Sequence, residues 1–89
     1  MKLISIISPT INLADLALVC AATDAILLRQ DAVYLCLRND ISWPTTQRYA
    51  LDSDIYVRHV LVPEDIVVVT AKQWLELTIN AKQNLLWQN

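Results

Sequence analysis

The two cysteines are the side chains best suited to covalent chemistry in this sequence. Cys20 and Cys36 are sixteen positions apart, a spacing that matches neither a CxxC redox pair nor a zinc-ligand pattern. A nucleophilic thiolate needs partial exposure and a positive neighbour or a helix N-terminus to lower its pKa. Cys36 comes late in a helical stretch, so we expect it only to pack. Cys20 lies on the apolar stripe of the first predicted helix and is the one weak catalytic candidate.

The remaining polar residues favour no catalytic or metal site. The single histidine, His59, falls in a short helix of mixed character, where a solvated or interface role is more typical than a role as a base. Helix capping or solvation accounts for the two close acidic pairs, Asp52 with Asp54 and Glu64 with Asp65. We therefore predict no catalytic role for these residues and no metal ligand set.

The absence of glycine excludes the common phosphate-binding loops. The chain contains no glycine at all. Walker A and GxGxxG loops need backbone at positive φ and close approach of a residue without Cβ. In an α/β sheet this removes the commonest nucleotide-binding interpretation, and we expect no cofactor.

Strand-like and helix-like segments alternate along the chain. Short apolar runs predict strands at residues 2–7, 25–28, 48–51 and 66–69, of which IVVV at 66–69 is the clearest buried strand. Helical spacing predicts helices at about 12–22, 32–38, 54–60 and 71–83, with a loop at 39–47. The expected helix caps are Asn12, Asp31, Ser53 and Thr70. This order predicts one α/β domain over residues 1–89, a small three-layer α/β/α sandwich with a mainly parallel sheet.

The composition predicts association with other protein chains. Hydrophobic residues make up 55% of the 89 positions, above the roughly 45–50% typical of soluble domains even with glycine counted. A chain of this size has few interior positions, so we expect a large apolar patch buried against partner subunits. The net charge of −2 and the absence of a basic stripe argue against direct nucleic-acid binding.

The amino-terminal segment superficially resembles a secretion signal, with Lys2 ahead of an apolar run. Pro9, Asn12 and Asp15 interrupt that run before it reaches a usable length. The longest apolar runs are also far below membrane-spanning length. We therefore expect a cytoplasmic protein, in which both cysteines stay reduced.

Four stretches, taken together, resemble the TusB/DsrH family, the small subunit of sulfur-relay complexes built on the DsrE-like fold. They are Ser8-Pro9, LLRQDAVY at 27–34, YALDSDI at 49–55 with Arg58, and a tail with Trp74, Leu77-Thr78 and Trp87. The resemblance covers essentially the whole chain. Where members usually place glycine, this chain has Ala32 and His59, and it has Thr70 and Ala81 where an acidic residue and a histidine are frequent.

The resemblance implies a cytoplasmic heterohexamer with two copies each of three homologous subunits. Such a complex passes persulfide sulfur toward 2-thiouridine at the tRNA wobble position, and its active cysteine is on the TusD-like subunit. The partners would be TusC-like and TusD-like chains, with sulfur-carrier proteins acting through the complex. We expect subunit contacts at the polar corner Gln30-Asp31, which follows a strand, and at Trp74 or Trp87.

Two alternatives remain open. Some DsrH proteins carry a cysteine in the first helix, within about two positions of Cys20, so this chain could itself accept sulfur as a sulfurtransferase subunit. A stand-alone homo-oligomer with a regulatory role is the other. A persulfide on Cys20 would identify the first, and a soluble symmetric oligomer without other subunits the second.

Overall fold

The computed structural model describes residues 1–87, which form a five-stranded, all-parallel sheet flanked by helices. The elements in chain order are β1 (Lys2–Ile6), α1 (Leu13–Val19), β2 (Ala25–Leu28), a 3₁₀ helix (Gln30–Leu37), β3 (Gln47–Leu51), α2 (Asp52–Arg58), β4 (Val67–Val69), α3 (Ala71–Asn80) and β5 (Gln83–Trp87). The strand order is β4-β3-β2-β1-β5. The predicted α/β class with a parallel sheet is confirmed.

The order of the strands places helices on both faces of the sheet. The first three crossovers step in one direction from β1 to β4, so right-handed connections put α1, the 3₁₀ helix and α2 on the same face. The fourth crossover runs back from β4 to β5, which puts α3 on the other face. Two separate hydrophobic clusters agree with this: one includes Leu16 of α1 and Val33 of the 3₁₀ helix, and the other includes Trp74 and Leu77 of α3.

Strands β1 and β2 are the most buried strands of the sheet. Every residue of β2 is buried. In β1 every residue is buried except Lys2 and Ser5, which are partly exposed. Leu3 pairs with Ala25, and Ile6 pairs with Leu28, in a continuous parallel register. Each fully buried aliphatic side chain of this kind contributes about 1.5–3 kcal/mol. The prediction of strands covered on both faces holds for β1 and β2.

Side-chain caps set the start of two helices, as predicted. The backbone N–H of Asp15 donates to Asn12 Oδ1 at 3.1 Å at the start of α1. At the start of α3, Gln73 N–H donates to Thr70 Oγ1 at 3.2 Å, and Thr70 N–H donates to Gln73 Oε1 at 2.9 Å. This reciprocal pair is a complete capping box.

Two predicted caps are wrong. The residue before the 3₁₀ helix is Arg29, and no side-chain hydrogen bond caps it; Asp31 instead accepts a hydrogen bond from Arg58. The helix predicted to follow Ser53 begins one residue before it, at Asp52, again without a side-chain cap. In both places a carboxylate or hydroxyl near a helix start predicts a cap on that helix. The Asp31 carboxylate instead accepts a hydrogen bond from Arg58 of α2.

The predicted ends of α1 and α3 are also wrong, because each helix stops early. Cys20 is extended, and the Asp24 carboxylate accepts the backbone N–H groups of Ala21 and Lys2, both at 2.9 Å, which draws the chain away from the helix. After α3, Ala81 is extended and Lys82 N–H donates to the Met1 carbonyl at 2.9 Å. That bond leads the chain into β5.

The edges of the sheet differ most from the prediction. The run IVVV was expected to be the clearest buried strand, but only Val67–Val69 are a strand, and Val67 and Val68 are exposed. Strand β5 is absent from the prediction, in which Gln83 belongs to the last helix and the residues after it form a tail. It pairs with β1 from Lys2–Gln83 to Ile6–Trp87. Apolar runs alone do not distinguish a central strand from an edge strand.

Candidate functional site

The four residues predicted as subunit contacts all lie toward the carboxyl edge of the sheet. Gln30 and Asp31 begin the 3₁₀ helix directly after β2, Trp74 is in the first turn of α3 after β4, and Trp87 ends β5. Because the strands are parallel, their carboxyl ends meet at this one edge, where α/β proteins place ligand and partner contacts. We call these residues the carboxyl-edge set.

A network of charged side chains holds the corner after β2. Gln30 has a left-handed backbone, with φ 52°, and its N–H donates to Asp54 Oδ2 at 2.9 Å. Arg58 donates from Nη1 to Asp54 Oδ1 at 3.2 Å and from Nε to Asp31 Oδ1 at 3.0 Å. The hydrogen bond to Asp31, and then the charges of both carboxylates, raise the pKa of the Arg58 guanidinium. The corner is therefore fixed by α2.

The Asp31 carboxylate is the accessible part of that network. The Asp31 side chain is 65% exposed, whereas those of Asp54 and Arg58 are 19% and 21% exposed. Two carboxylates share one guanidinium here, which leaves a net negative charge facing solvent. The corner therefore presents unused acceptor oxygens to a cationic or hydrogen-bonding partner.

Trp74 is anchored by Arg29 on the α3 face of the sheet. The guanidinium carbon of Arg29 lies 4.2 Å from the centroid of the Trp74 ring, a cation–π distance. The Arg29 N–H donates to the Ile6 carbonyl at 2.9 Å, which ties the pair to β1. Trp74 also packs against the cluster that contains Leu3 and Leu27. Part of this indole is therefore core, and the rest is at the surface.

Trp87 lies on the opposite face of the sheet from Trp74. It pairs in register with Ile6 and packs against the cluster on the side of α1 and the 3₁₀ helix. Its indole Nε1 is buried and has no hydrogen-bond acceptor among residues 1–87. The structure thus brings the carboxyl-edge set to one edge but divides the two tryptophans between its two faces.

Cys20 lies at the other end of the sheet, away from this corner. It directly follows α1, next to the turn into β2, and is 7% exposed. Burial is the main cause that raises the pKa of its thiol, and the nearby Asp24 carboxylate raises that pKa further. Lys2, whose ammonium is 3.7 Å from Asp24, opposes this effect only weakly. The thiol is held in its protonated form.

Cys36 lines the cavity between the 3₁₀ helix and the starts of β3 and β4. The cavity has a volume of about 240 Å³, and its wall includes Arg38, Arg48 and Asp65. Burial, and then the charge of Asp65, raise the pKa of Cys36 to about 11. Arg48 is paired with Asp65 at 2.9 Å, and Arg38 is paired with Asp40 at 2.8 Å. Neither guanidinium is placed to activate the thiol, and Cys36 packs, as its position in the sequence indicates.

Large apolar side chains are exposed on several elements. The chain exposes 5390 Å² in total, close to the roughly 5,300 Å² expected of a compact monomer of this mass. The high hydrophobic content therefore makes the surface more apolar and does not make its area larger. These side chains are Leu18, Tyr34, Leu37, Tyr56, Val57, Leu61, Val67, Val68, Leu75, Ile79, Leu85 and Leu86. Instead of forming the single large patch that the composition predicts, they are distributed over α1, the 3₁₀ helix, α2, α3 and the two edge strands, β4 and β5.

Sequence reasoning missed two features of these surfaces. The first is the pairing of Arg29 with Trp74, which are far apart in the sequence and meet only through the crossover from β4. The second is the cavity at Cys36, since Trp43 and Arg48 came from a predicted loop and a predicted strand. A weak signal existed for the cavity, because the strand predicted at 48–51 begins with a charged residue, Arg48.

Within residues 1–87, no three His, Cys, Asp or Glu side chains converge as a metal-binding group. No helix in this part of the chain combines the length and apolar character needed to cross a membrane.

Comparison with known proteins identifies the family. A family model described as DsrH like protein matches residues 8–84. No curated protein matches the chain. The matched region includes the corner after β2, both cysteines and all of α3. Because the match spans most of the sequence, the chain belongs to the DsrH-like family, also called TusB/DsrH, whose members are small subunits of sulfur relays.

Proposed function

We propose that this chain is a non-catalytic structural subunit of a heterohexameric, cytoplasmic sulfur-relay complex. The complex passes persulfide sulfur toward 2-thiolation of the tRNA wobble uridine and holds two copies each of this chain, a TusC-like chain and a TusD-like chain. The active cysteine is on the TusD-like subunit. Family membership supports the sulfur relay, and the exposed apolar side chains support assembly with other chains.

The state of the two thiols is the observation that carries the non-catalytic role. To accept sulfur, a thiolate attacks the outer sulfur of a donor persulfide, forms a new S–S bond and displaces the donor thiolate. A pKa of about 11 for Cys36 leaves on the order of one thiol in ten thousand ionised at pH 7. Cys20 is also buried, and the charge of the Asp24 carboxylate raises the pKa of its thiol further.

The carboxyl-edge set is the proposed contact with the other subunits. Asp31 offers free carboxylate oxygens, and the corner that carries it is fixed by Asp54 and Arg58, so little ordering entropy is lost on binding. Trp74 and Trp87 stand at the same edge on either face and can serve as apolar anchors.

Co-expression with TusC-like and TusD-like chains tests the assembly directly. Native mass spectrometry should find two copies of each chain, and cells should lose wobble 2-thiouridine when this chain is deleted. Cys20→Ser and Cys36→Ser should each restore 2-thiouridine fully. A Cys20 peptide that gains one sulfur after loading, together with lost thiolation in Cys20→Ser, would instead identify a sulfurtransferase. A soluble symmetric oligomer that ignores both partner chains would identify the stand-alone alternative.

A matched pair of variants tests the proposed contact. Asp31→Lys should weaken capture of the partner chains by about tenfold or more, because it reverses the charge at the accessible part of the corner. Asp40→Lys is the control. Asp40 is 64% exposed and also pairs with an arginine, Arg38. Arg38 lines the cavity near the starts of β3 and β4, at the end of the strands opposite the carboxyl edge. Equal binding by the two variants would remove the carboxyl edge from the interface.

A further inference from the structure

Arg29 has no carboxylate partner in the described part of the chain. It follows β2 at the carboxyl edge of the sheet, and its guanidinium carbon lies 4.2 Å from the centroid of the Trp74 ring. The ion pairs within residues 1–87 are made by other basic residues, namely Lys2, Arg38, Arg48 and Arg58. Within residues 1–87, therefore, no carboxylate oxygen lies within 4.0 Å of the Arg29 guanidinium.

The Arg29 guanidinium is partly removed from water and yet reachable. Its Nε is buried and has no hydrogen-bond acceptor within residues 1–87. The two terminal nitrogens are not among the buried unpaired atoms and donate no hydrogen bond in that part of the chain, so they reach the surface. Because charges that proteins take out of water are normally paired, a carboxylate supplied from outside this part of the chain would stabilise the arginine.

Stacking on Trp74 orients the guanidinium before any partner binds. A guanidinium donates in a planar fork that matches the two oxygens of a carboxylate. Part of the desolvation cost of an ion pair is already met here, because Nε is buried against the protein. The indole also lowers the local polarity, which strengthens the attraction between the two charges.

The other charges on this face favour an acidic occupant. Lys72 is exposed in the first turn of α3, at the positive end of the dipole of this ten-residue helix. Glu76, the one acidic residue of α3, lies on the opposite flank of the helix, beside β3 and β4. The Asp31 carboxylate is bound to Arg58 of α2. Charge complementarity therefore calls for a carboxylate opposite Arg29.

An apolar groove continues from Trp74 along α3. Ala71, Trp74, Leu75 and Thr78 line a depression of about 290 Å³. Thr78 Oγ1 donates to the Leu75 carbonyl at 2.7 Å, so the hydroxyl in this groove is used within its own helix. Leu75 is 59% exposed. Leu86, 51% exposed, lies on the α3 face of β5, because side chains alternate along a strand and the next residue packs on the other face.

We propose that a partner subunit docks on this face with one carboxylate on Arg29 and a large apolar side chain in the groove beside Trp74. A small anion alone would leave the groove empty, whereas an acidic and apolar protein segment fills both parts of the site. The inference deepens the proposed function and rests on it, because the occupant is another subunit. The carboxyl edge then carries opposite charges on its two sides, Asp31 beside α2 and Arg29 beside α3, which fixes the orientation of the partner.

Charge reversal at Arg29 tests the carboxylate contact in the co-expressed complex. Arg29→Glu should weaken capture of the partner chains by about tenfold or more, because it places two negative charges face to face. Arg38→Glu is the control, since Arg38 is 46% exposed at the opposite end of the strands and is already paired with Asp40. It should capture the partner chains as the wild type does. Circular dichroism and urea unfolding check that both variants fold.

A second pair of variants tests the groove. Leu75→Lys should also weaken capture by about tenfold or more, because it places a charge where an apolar side chain is to be buried. Leu37→Lys is the matched control: Leu37 is 60% exposed, against 59% for Leu75, but ends the 3₁₀ helix on the other face of the sheet. Equal capture by these two variants would exclude the groove from the interface.

Cross-linking followed by a charge swap makes the test independent of folding losses. In the complex of Arg29→Lys, a carbodiimide should couple the introduced amine to one Asp or Glu of a partner chain, and peptide mass spectrometry identifies that residue. Its replacement by Arg should restore capture by Arg29→Glu. Full capture by Arg29→Glu, coupling only within this chain, or a charge swap that restores nothing would each overturn the proposal.

These results are separable from the proposed function. If Asp31→Lys weakens capture and Arg29→Glu does not, the assembly stands and the Arg29 contact is wrong. If the wild type captures neither partner chain, the proposed function and this inference fall together.

Discussion

His59 is held in a left-handed backbone conformation at the end of α2, with φ 52° and ψ 44°. This conformation costs a residue with a Cβ roughly 1–2 kcal/mol, and it is the position at which the resemblance expects glycine. His59→Gly should therefore raise the free energy of unfolding, by about 0.5–1 kcal/mol once the greater freedom of the unfolded chain is included. Urea unfolding measures it.

His59→Ala is the control for that prediction. Alanine removes the ring, which is tilted against Tyr56 at 6.4 Å, but keeps the Cβ. If the alanine variant gains as much stability as the glycine variant, the cause lies in the ring rather than in the backbone.

Asp24 makes stability depend on pH in the acid range. Its carboxylate accepts the N–H groups of Ala21 and Lys2, and these bonds, more than the charge of Lys2, hold its pKa below the ordinary value. A carboxyl with a lowered folded-state pKa stabilises the fold above its unfolded pKa of about 3.9. That contribution is lost as the pH falls through the lower, folded-state pKa.

Asp24→Asn should therefore destabilise the chain at pH 7, by about 1–3 kcal/mol, because one amide oxygen replaces two charged acceptors. The difference from the wild type should shrink as the pH falls below about 4. Unfolding by urea at several pH values measures both effects. Asp40→Asn, which alters only an exposed pair with Arg38, should leave neutral-pH stability close to that of the wild type; a difference that stays constant with pH would contradict the role of Asp24.

The capping box fixes the start of α3 and, with it, the position of Trp74. Thr70→Ala removes the acceptor for the Gln73 N–H and should cost about 1 kcal/mol in the free energy of unfolding. Thr70→Ser keeps the hydroxyl and should lose much less. Since Trp74 is in the same first turn, its fluorescence should also change in the alanine variant. A Thr70→Ala protein as stable as the wild type would show that packing alone sets this helix start.

Sequence patterns predict a helix cap correctly where the cap depends only on neighbouring residues. Asn12 and Thr70 were identified as caps because a cap needs only a side chain and an N–H three residues away. Asp31 was misassigned because its partner, Arg58, is 27 residues distant. The 3₁₀ helix was predicted as an ordinary helical stretch, since its apolar residues cover most of its faces and no periodicity distinguishes the two forms.

The pairing of strands that are distant in the sequence determines the features that sequence patterns do not predict. Whether an apolar run is central or at an edge depends on which crossover reverses direction, and here that is the connection from β4 to β5. The valines of β4 are consequently exposed, while QNLLW becomes a strand because it returns to β1. The carboxyl-edge set was predicted residue by residue, but the division of Trp74 and Trp87 between two faces follows from that same reversal.

Across the whole molecule, hydrogen exchange should follow the strand order. The amides of β1 and β2 should exchange last, because these strands are paired on both sides and buried, and those of β4 and β5 should exchange first. Exchange in β1 or β2 as fast as in β4 and β5 would contradict this order, because β1 and β2 would then have lost the ladder hydrogen bonds that the structure gives them on both sides.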